Sequence, residues 1–347
     1  MPLRLGQEVQ ALSRRSALSR LAESPSRREA LAALREDFAA AGIGSFALDA
    51  RLVLCEAGAF SAEDLIRAPE KVLDETSVRR LRAIAERRVA REPLSRIFGR
   101  REFWGLALTI SPAALDPRPE TETLVEAAVA SLSERRNEAM RILDLGSGSG
   151  AILCALLTEF PNACGVALDL SPAAAALTKV NLDALGLAKR SSVVVGDWGE
   201  PLEGRYDVVV SNPPYVRTAE IAALPEEVGD YDPRGALDGG RDGLDAYRRL
   251  APALIRLLEP IGGRFFFEIG IGQAEDVAAI LRAAGLERLA VASDLAGRAR
   301  VIYGDFGAKA PRDQEASWRE TKKGLVLCQE SSSPRSASDS RGAIGAR

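Results

Sequence analysis

The sequence predicts an α/β fold in which a mostly parallel, seven-stranded sheet follows a bundle of N-terminal helices and a β-hairpin. Three observations lead to this prediction. From residue 141 onward, short apolar runs alternate with segments of helical length, a pattern typical of parallel sheets covered by helices on both faces. A Gly-rich turn follows the first of these runs, and residues 1–92 are rich in Ala, Leu, Arg and Glu at helical spacing. The 347 residues suffice for two domains.

Residues 1–92 predict four or five short helices that form a bundle. Two apolar stripes at helical spacing mark the faces that pack together. The first comprises Leu31, Leu34, Phe38 and Ala41, and the second comprises Val78, Leu81, Ile84 and Val89. Residues 93–112 then predict a β-hairpin with strands at 94–99 and 103–110, because apolar and aromatic residues flank a turn.

From residue 121 onward, helices and strands alternate. The first helix, over residues 121–133, begins at Thr121, where a hydroxyl suits the helix N-cap, and Glu122 suits the positive end of the helix dipole. The predicted strands cover residues 141–145, 164–168, 192–195, 206–211, 263–269, 287–293 and 298–304. Further helices are predicted over residues 150–159, 172–185, 244–258 and 273–284. Residues 307–347 are rich in Ser, Arg and Gly and predict a disordered tail.

Composition excludes several kinds of chemistry. The chain has no histidine, which rules out His general bases, Ser–His and Cys–His nucleophile pairs and His metal ligands. Its four cysteines show no CxxC spacing, so we expect reduced thiols in a cytoplasmic protein. The N-terminus lacks a signal-peptide pattern, and no run of 18 apolar residues predicts a membrane span. A net charge of −3 provides no basic field for nucleic acid.

The segment Asn212-Pro213-Pro214-Tyr215 follows a predicted strand and carries distinctive chemistry. Each proline lacks an N–H group and restricts φ, so the chain leaves the sheet rigidly and presents acceptors, namely the Asn212 side-chain oxygen and nearby carbonyls. Tyr215 adds a flat apolar face. Such a site suits a planar NH2 group, which indicates chemistry on an amide or exocyclic amine nitrogen. The alternative interpretation is a proline turn that ends a strand.

A second motif, Gly146-Ser147-Gly148-Ser149-Gly150, joins the strand at 141–145 to the helix that follows. Glycines allow positive φ and a close approach of the backbone to a ligand. The spacing is G-x-G-x-G rather than the G-x-G-x-x-G of dinucleotide sites, and Asp144 precedes the first glycine by two positions. The motif is similar to the S-adenosylmethionine loop of class I methyltransferases. By itself, it is equally compatible with a structural turn.

Two further residues follow neighbouring strands. Asp169 ends the second predicted strand of the sheet, where a carboxylate can accept hydrogen bonds from both hydroxyls of a ribose; its alternative role is the N-cap of the next helix. Trp198 follows the third strand and suits adenine stacking, or else it packs beneath a loop. Because the carboxyl ends of parallel strands lie at one edge, a single site is predicted to contain Gly146–Gly150, Asp169, Trp198 and Asn212.

Residues 25–305 resemble the protein-(glutamine-N5) methyltransferase family, HemK/PrmC, which modifies peptide chain release factors. Asn-Pro-Pro-Tyr is shared with adenine and guanine N-methyltransferases, and three other features narrow the match. They are the hairpin with Arg101-Glu102-Phe103-Trp104, the segment Pro117-Arg118-Pro119-Glu120-Thr121-Glu122 and the helical N-terminal domain. The resemblance also includes Tyr231-Asp232-Pro233-Arg234. Glu120 stands where the family usually has Asp.

The resemblance implies a Rossmann-like, class I S-adenosylmethionine-dependent methyltransferase fold whose last strand is antiparallel. It implies that residues 1–92 form a helical substrate-docking domain, although a purely stabilising scaffold is an alternative. Residues 93–112 then form a hairpin linker, and residues 113–306 form the methyltransferase domain. The implied reaction transfers a methyl group from S-adenosyl-L-methionine to the Gln amide of the Gly-Gly-Gln motif in a release factor.

The same resemblance implies a role for each site residue. The implied cofactor contacts are Gly146, Ser147, Gly148, Ser149, Gly150, Asp169, Trp198 and Asn212. Asn212, Pro213, Pro214 and Tyr215 are implied to hold the substrate glutamine, and Asn212, Pro213 and Tyr215 to be catalytic. A positioned nitrogen and a positively charged methyl donor require neither a strong base nor a metal. Contributions of Arg118, Glu122, Arg234 and Glu268 stay open, since each has a structural alternative.

Other functions are also compatible with the motifs. They are a nucleic-acid base N-methyltransferase, a ribosomal-protein glutamine methyltransferase and a cofactor-binding adaptor without catalysis. The net charge of −3 disfavours the first, and the acceptor-rich Asn212–Tyr215 segment disfavours the last. The expected partner is therefore a release factor, with no membrane and no direct nucleic-acid contact.

Overall fold

The computed structural model describes residues 16–200 and 202–306. Contacts divide the chain into two compact units. The helical unit contains, within the described residues, 16–119 and 213–246, and the sheet unit contains 120–212 and 247–306. Residues 213–246 therefore group by contacts with the N-terminal helices, although they lie within the predicted methyltransferase domain. The tail predicted at 307–347 lies outside the described residues.

Four α-helices form the first part of the helical unit. They are α1 (Arg27–Ala40), α2 (Phe46–Gly58), α3 (Ala62–Arg67) and α4 (Glu75–Val89). Ser26 and Ser61 begin α1 and α3 with capping boxes, in which a hydroxyl and an acidic side chain three residues later satisfy each other's backbone N–H groups. Leu34, Phe38 and Leu81 are buried in the shared core, which confirms the predicted bundle.

The strand predicted over residues 94–99 is wrong, because this segment is a helix. α5 (Leu94–Phe98) begins after Pro93, whose restricted φ suits a helix start, and ends at Gly99 in the left-handed conformation, with φ 68°. The hairpin itself is present and shorter than predicted. β1 (Arg100–Phe103) pairs in antiparallel fashion with β2 (Leu106–Thr109).

The rest of the chain alternates between strands and helices as predicted. In chain order, the elements are α6 (Glu122–Ser131), β3 (Arg141–Leu145), α7 (Ala151–Glu159), β4 (Cys164–Asp169), α8 (Pro172–Ala184), β5 (Ser191–Val195), β6 (Val208–Ser211), α9 (Glu226–Gly229), α10 (Asp245–Leu257), β7 (Arg264–Glu268), α11 (Ala274–Ala283), β8 (Arg288–Ser293) and β9 (Ala299–Asp305). The seven strands of the sheet agree with the predicted ones to within two residues at each end. No helix in the described part of the chain is long and apolar enough to cross a membrane.

The sheet has the strand order β5-β4-β3-β6-β7-β9-β8. β9 runs antiparallel to both of its neighbours, and the other strands are parallel to one another. The chain moves outward from β3 to β5 and then returns to the other side of β3 with β6. This reversal creates a switch point between β3 and β6, where open α/β sheets bind their ligands.

Candidate active site

The carboxyl edge of the sheet carries the predicted cofactor residues. β5, β4, β3 and β6 are consecutive neighbours and run parallel. Asp169 is the last residue of β4, Gly146 directly follows β3 and Asn212 directly follows β6. Trp198 lies three residues beyond the end of β5. The topology therefore brings these four positions to one edge of the sheet unit, around the switch point.

The Gly-rich loop after β3 is a turn whose backbone conformation requires glycine. Gly146, Gly148 and Gly150 have φ values of 77°, 58° and 79°, in the left-handed region. A Cβ added at Gly146 meets no atom within 4 Å, whereas a Cβ added at Gly150 lies 2.8 Å from Thr178 Cγ2. The loop is therefore open to a ligand at Gly146 and packs closely against α8 at Gly150.

Asp169 holds the loop in place. Its Oδ2 accepts a hydrogen bond from the Gly148 backbone N–H at 2.8 Å, and its Oδ1 accepts one from the Ser171 N–H at 2.8 Å. Ser171 is the N-cap of α8 and accepts from the Ala174 N–H, so the alternative role of Asp169 as helix cap is wrong. Asp169 is half-buried. Each of its oxygens can accept a further hydrogen bond, because a carboxylate has about four lone-pair sites.

Two polar residues of α8 form hydrogen bonds with the Gly-rich loop, and neither was predicted from the sequence. The Thr178 hydroxyl donates to the Gly148 carbonyl oxygen at 3.0 Å, so the Ser147 hydroxyl, 3.1 Å away, donates to Thr178. Asn181 Nδ2 donates to the Ser149 carbonyl oxygen at 2.8 Å. Thr178 and Asn181 are 0% and 1% exposed. Their sequence signal is a polar pair at helical spacing on an otherwise apolar buried helix face.

Asp144 lies in β3, two residues before Gly146, and is fully buried. Burial, together with the negative charge of Asp169, raises the pKa of Asp144 to about 7, and the Leu153 backbone N–H opposes this increase. Burial likewise raises the pKa of the Cys154 thiol to about 12. The Asp144 carboxyl group therefore keeps its proton at pH values well above those at which an ordinary Asp loses it.

The turn after β5 is fixed by α10. Asp197 forms an ion pair with Arg249, and Arg256 donates to the Gly199 and Leu202 carbonyl oxygens, both at 2.6 Å. Trp198 is half-buried and has a positive φ of 41°, which is uncommon for a bulky side chain. Trp198 therefore stays partly exposed in the turn that follows β5, and adenine stacking stays a prediction.

Asn212 is oriented by a residue far away in the sequence. Its Nδ2 donates to the Thr121 hydroxyl oxygen at 3.2 Å, which leaves Oδ1 as the acceptor end of the amide. Thr121 stands at the N-cap position of α6, as predicted, but its side chain makes no capping hydrogen bond. Ser211 donates to the Leu145 carbonyl oxygen at 2.6 Å and ties the end of β6 to β3. The two strand ends that flank the switch point are thereby locked together.

Pro213, Pro214 and Tyr215 belong by their contacts to the helical unit. The next residue, Val216, donates from its N–H to the Leu237 carbonyl at 2.9 Å and accepts from the Gly239 N–H at 2.8 Å. A Cβ added at Gly239 lies 2.8 Å from the Pro214 carbonyl oxygen and 2.9 Å from Tyr215 Cα. The backbone that leaves the motif thus lies directly against residues 237–239.

The chain also matches known proteins. The model of the PrmC N-terminal domain matches residues 29–99, and that of the methyltransferase small domain matches residues 120–226. A release factor glutamine methyltransferase of Rhodospirillum rubrum is 44% identical over 271 residues, 78% of this chain and 82% of that protein. The chain belongs to the release factor glutamine methyltransferase family. It is therefore an enzyme, a methyltransferase.

A further relative agrees with the family, and a solved structure agrees with the fold. A relative of the same name from Bradyrhizobium diazoefficiens is 46% identical over 258 residues, 74% of this chain and 86% of that protein. The solved hMettl16 catalytic domain, in complex with MAT2A 3'UTR hairpin 6, aligns at a TM-score of 0.50 with 16% identity, over 65% of this chain and 83% of that one. The latter likeness shows the fold alone. The family and the class I methyltransferase fold predicted from the motifs are confirmed.

The sequence left open whether four residues, Arg118, Glu122, Arg234 and Glu268, contribute to catalysis. Arg118 Nη2 donates to Asp232 Oδ2 at 2.5 Å, within the helical unit. Arg234 is exposed and lies 3.4 Å from Asp238. Glu122 begins α6, and Glu268 ends β7 with 1% exposure. The contacts favour bracing for both arginines, and catalytic roles for the two glutamates stay open.

Proposed function

We propose that this enzyme methylates the glutamine of the Gly-Gly-Gln motif in a peptide chain release factor, with S-adenosyl-L-methionine as methyl donor. The observation that carries the proposal is the amide of Asn212, which Thr121 orients so that Oδ1 is an acceptor at the carboxyl edge of the sheet. The two relatives from Rhodospirillum rubrum and Bradyrhizobium diazoefficiens are release factor glutamine methyltransferases, which supports the substrate class.

The residues at the sheet edge fit this cofactor. Gly146 has open space where a side chain would lie, both Asp169 oxygens can accept from ribose hydroxyls, and the half-buried Trp198 offers a ring face for adenine. The residues proposed to hold the cofactor are Gly146, Ser147, Gly148, Ser149, Gly150, Asp169, Trp198 and Asn212. When bound, S-adenosyl-L-methionine supplies a methyl group on a positively charged sulfur.

The protein contributes to the reaction by positioning the substrate amide, whose nitrogen lone pair is delocalised. Asn212 Oδ1 and the Pro213 carbonyl oxygen accept the two amide hydrogens, and Tyr215 covers the amide plane. This arrangement turns the nitrogen lone pair out of conjugation and toward the donor. Orientation of this kind contributes about 7 kcal/mol or more when the geometry is near attack. The proton leaves after methyl transfer, when the nitrogen is strongly acidic, so a strong base is not required.

The N-terminal helices are proposed to dock the release factor. A short Gln motif provides little area for recognition, whereas specific protein complexes bury about 800 Å² on each partner. We assign this additional contact area to α1 to α4, which belong to the helical unit. Because release factors act on ribosomes, we place the enzyme in the cytoplasm.

The substrate is tested by incubating the enzyme with methyl-labelled S-adenosyl-L-methionine and a purified release factor. We expect label on the motif glutamine, and none on a matched release factor in which that glutamine is replaced by alanine. Ribosomal protein and a nucleic-acid duplex serve as competing substrates. Label on the alanine variant, or on a competing substrate alone, contradicts the proposal.

The cofactor site is tested with Asp169→Ala. This change removes the carboxylate that braces the loop through Gly148 and is proposed to bind the ribose, so the affinity for S-adenosyl-L-methionine is expected to fall about 10–100-fold. Asp183→Ala, an exposed position on α8, is the control. Calorimetry that gives wild-type affinity for a folded Asp169→Ala protein excludes the assignment.

A further inference from the structure

The segment that follows the Asn212–Tyr215 motif is held by ionic contacts to the N-terminal helices. Residues 213–246 and 16–119 form one unit. Within it, Glu227 of α9 contacts Arg88, in the last turn of α4, and Arg91, two residues after the end of α4. Arg91 Nη2 lies 2.9 Å from Glu227 Oε1 and 3.0 Å from Oε2, and Arg88 Nη1 lies 3.4 Å from Oε1.

We call these contacts of Glu227 with Arg88 and Arg91 the first anchor, and it is largely shielded from water. The Arg88 side chain is 6% exposed and also pairs with Asp49 at 2.8 Å, while the side chains of Arg91 and Glu227 are 24% and 20% exposed. Close by, the Tyr231 hydroxyl donates to the Ala90 carbonyl oxygen at 2.7 Å. The end of α4 therefore contacts the segment through two ionic side chains and one backbone group.

A second anchor lies five residues further along the chain. Asp232 accepts from Arg96 Nη2 at 2.6 Å, from Arg118 Nη2 at 2.5 Å and from the Asp116 backbone N–H at 3.2 Å. The side chains of Asp232 and Arg96 are 1% and 3% exposed. Asp232 thus joins α5 and the Pro117–Pro119 segment to the chain that follows the motif.

A short series of backbone contacts connects these anchors to the motif. The Asp232 N–H donates to the Val228 carbonyl at 3.0 Å, and the Asp238 N–H donates to the Arg234 carbonyl at 2.9 Å. Leu237 and Gly239 then pair with Val216, the residue after Tyr215. The anchored residues are therefore linked, through backbone hydrogen bonds, to the residue that follows Tyr215.

We propose that Glu227 and Asp232 are positioning residues for methyl transfer, and that the N-terminal helices contribute to kcat through them. The two anchors set the position of Pro213–Tyr215, which contain the proposed Pro213 acceptor and the Tyr215 ring. This inference rests on the proposed function. The inference goes beyond the proposed docking role of the N-terminal helices. Docking alone affects the capture of the release factor, whereas positioning affects the rate of methyl transfer in the bound complex.

The burial of these charges agrees with a positioning role. Desolvation of a buried ion pair offsets most of its Coulomb attraction, so such pairs are weak sources of stability. Their strict geometry does restrict the relative placement of the segments that they join, as the bonds of Asp232 to three separate donors illustrate.

The test compares Glu227→Ala, Arg91→Ala and the double variant in the full-length enzyme. The neighbouring Glu226→Ala is the matched control, since Glu226 is 66% exposed and lies 3.5 Å from Arg91. We expect Glu227→Ala to lower kcat about tenfold with both the release factor and a Gly-Gly-Gln peptide, because small displacements of reacting groups are costly. The affinity for S-adenosyl-L-methionine stays unchanged. The double variant is expected to lose little more than the more impaired single variant, because the two residues act through one contact.

Three results overturn the inference. They are a raised KM with unchanged kcat in Glu227→Ala, effects of the two single changes that multiply in the double variant, and an equal loss in Glu226→Ala. If Glu227→Ala does not fold, Glu227→Gln, which keeps the size and one acceptor oxygen but loses the charge, provides the same comparison, with a smaller loss of kcat expected. A wild-type enzyme that leaves the release factor unmethylated overturns the proposed function instead, and the inference with it.

Discussion

At the scale of single residues, the side chains next to the motifs determine how the motifs can work. Thr121 orients the amide of Asn212, Asp169 holds the Gly148 N–H, and Thr178 holds the Gly148 carbonyl. Each contact leaves a defined group for a ligand: the oxygen of Asn212, a free lone pair on each Asp169 oxygen and the open side of Gly146. The site is therefore preorganised by neutral hydroxyls as well as by the carboxylate of Asp169.

Asn212→Ala is expected to slow methyl transfer about 100-fold, as when one preorganised polar contact is removed from a transition state. Asn212→Asp keeps an acceptor oxygen and should retain more activity than the alanine variant. Single-turnover rates with saturating cofactor and release factor measure both, with the exposed Asn162→Ala as control. A near-normal rate for Asn212→Ala would rule out the acceptor role.

Asp144 is expected to make stability depend on pH. Its pKa is about 7 when folded, against an ordinary value of 3.8, so the folded state keeps a proton that the unfolded state loses between these values. The free energy of unfolding therefore falls as the pH rises from about 4 to 7 and levels off above. Asp144→Asn removes this contribution, and its advantage over the wild type should grow across the same range in urea unfolding. A difference that is constant with pH contradicts the expectation.

At the scale of elements, the Gly-rich loop connects β3 to α7 and rests on α8. Gly150 is the N-cap residue of α7, and its missing side chain allows contact with Thr178. Gly146 is at the open end of the same loop and lacks such a neighbour within 4 Å. Glycine is therefore required at both positions by a positive φ, but at only one of them by packing.

Gly150→Ala is expected to lower the free energy of unfolding by about 1–3 kcal/mol, the usual range for overpacking. Gly146→Ala should cost about 1 kcal/mol, since only the left-handed backbone is strained. Thr178→Ser removes the Cγ2 atom that meets the added Cβ at 2.8 Å and keeps the hydroxyl. It should recover part of the loss in the Gly150→Ala background. Chemical denaturation measures the free energy of unfolding of the three single variants and of the Gly150→Ala, Thr178→Ser double variant. If the losses of Gly150→Ala and Thr178→Ser simply add in the double variant, the steric explanation is excluded.

At the scale of the whole molecule, the motif is divided between two units. Asn212 belongs to the sheet unit with the Gly-rich loop and Asp169, whereas Pro213, Pro214 and Tyr215 belong to the helical unit. The proposed cofactor contacts are thus all residues of the sheet unit. An intervention on the helical unit should separate binding of the cofactor from methyl transfer.

Deletion of residues 1–90 is expected to leave affinity for S-adenosyl-L-methionine intact while lowering kcat/KM for the release factor at least about tenfold. The deletion removes the docking surface and Arg88, one partner of Glu227, but no residue of the sheet unit. Calorimetry with the cofactor is the control for folding. A truncated protein with normal kcat/KM shows that the N-terminal helices act only as a scaffold.

The seven strands of the sheet, the longer helices between them and the family could be predicted from the sequence alone. These features depend on local rules: the period of apolar residues, glycine at positive φ, proline at the end of a strand, and short motifs with fixed spacing. The same rules placed Gly146, Asp169, Trp198 and Asn212 at one sheet edge, because parallel strands share their carboxyl ends.

Other features depended on contacts between residues that are far apart in the chain. Residues 94–99 have apolar content that suits either a strand or a helix, and only the structure shows the helix between Pro93 and Gly99. Thr121 pairs with Asn212 across 91 positions, and Arg91 reaches Glu227 across 136. No local pattern encodes such pairs, because the two partners of each pair meet only when the unit that contains them has folded. The tertiary structure alone decided which groups orient Asn212 and which helices hold the chain that follows Tyr215.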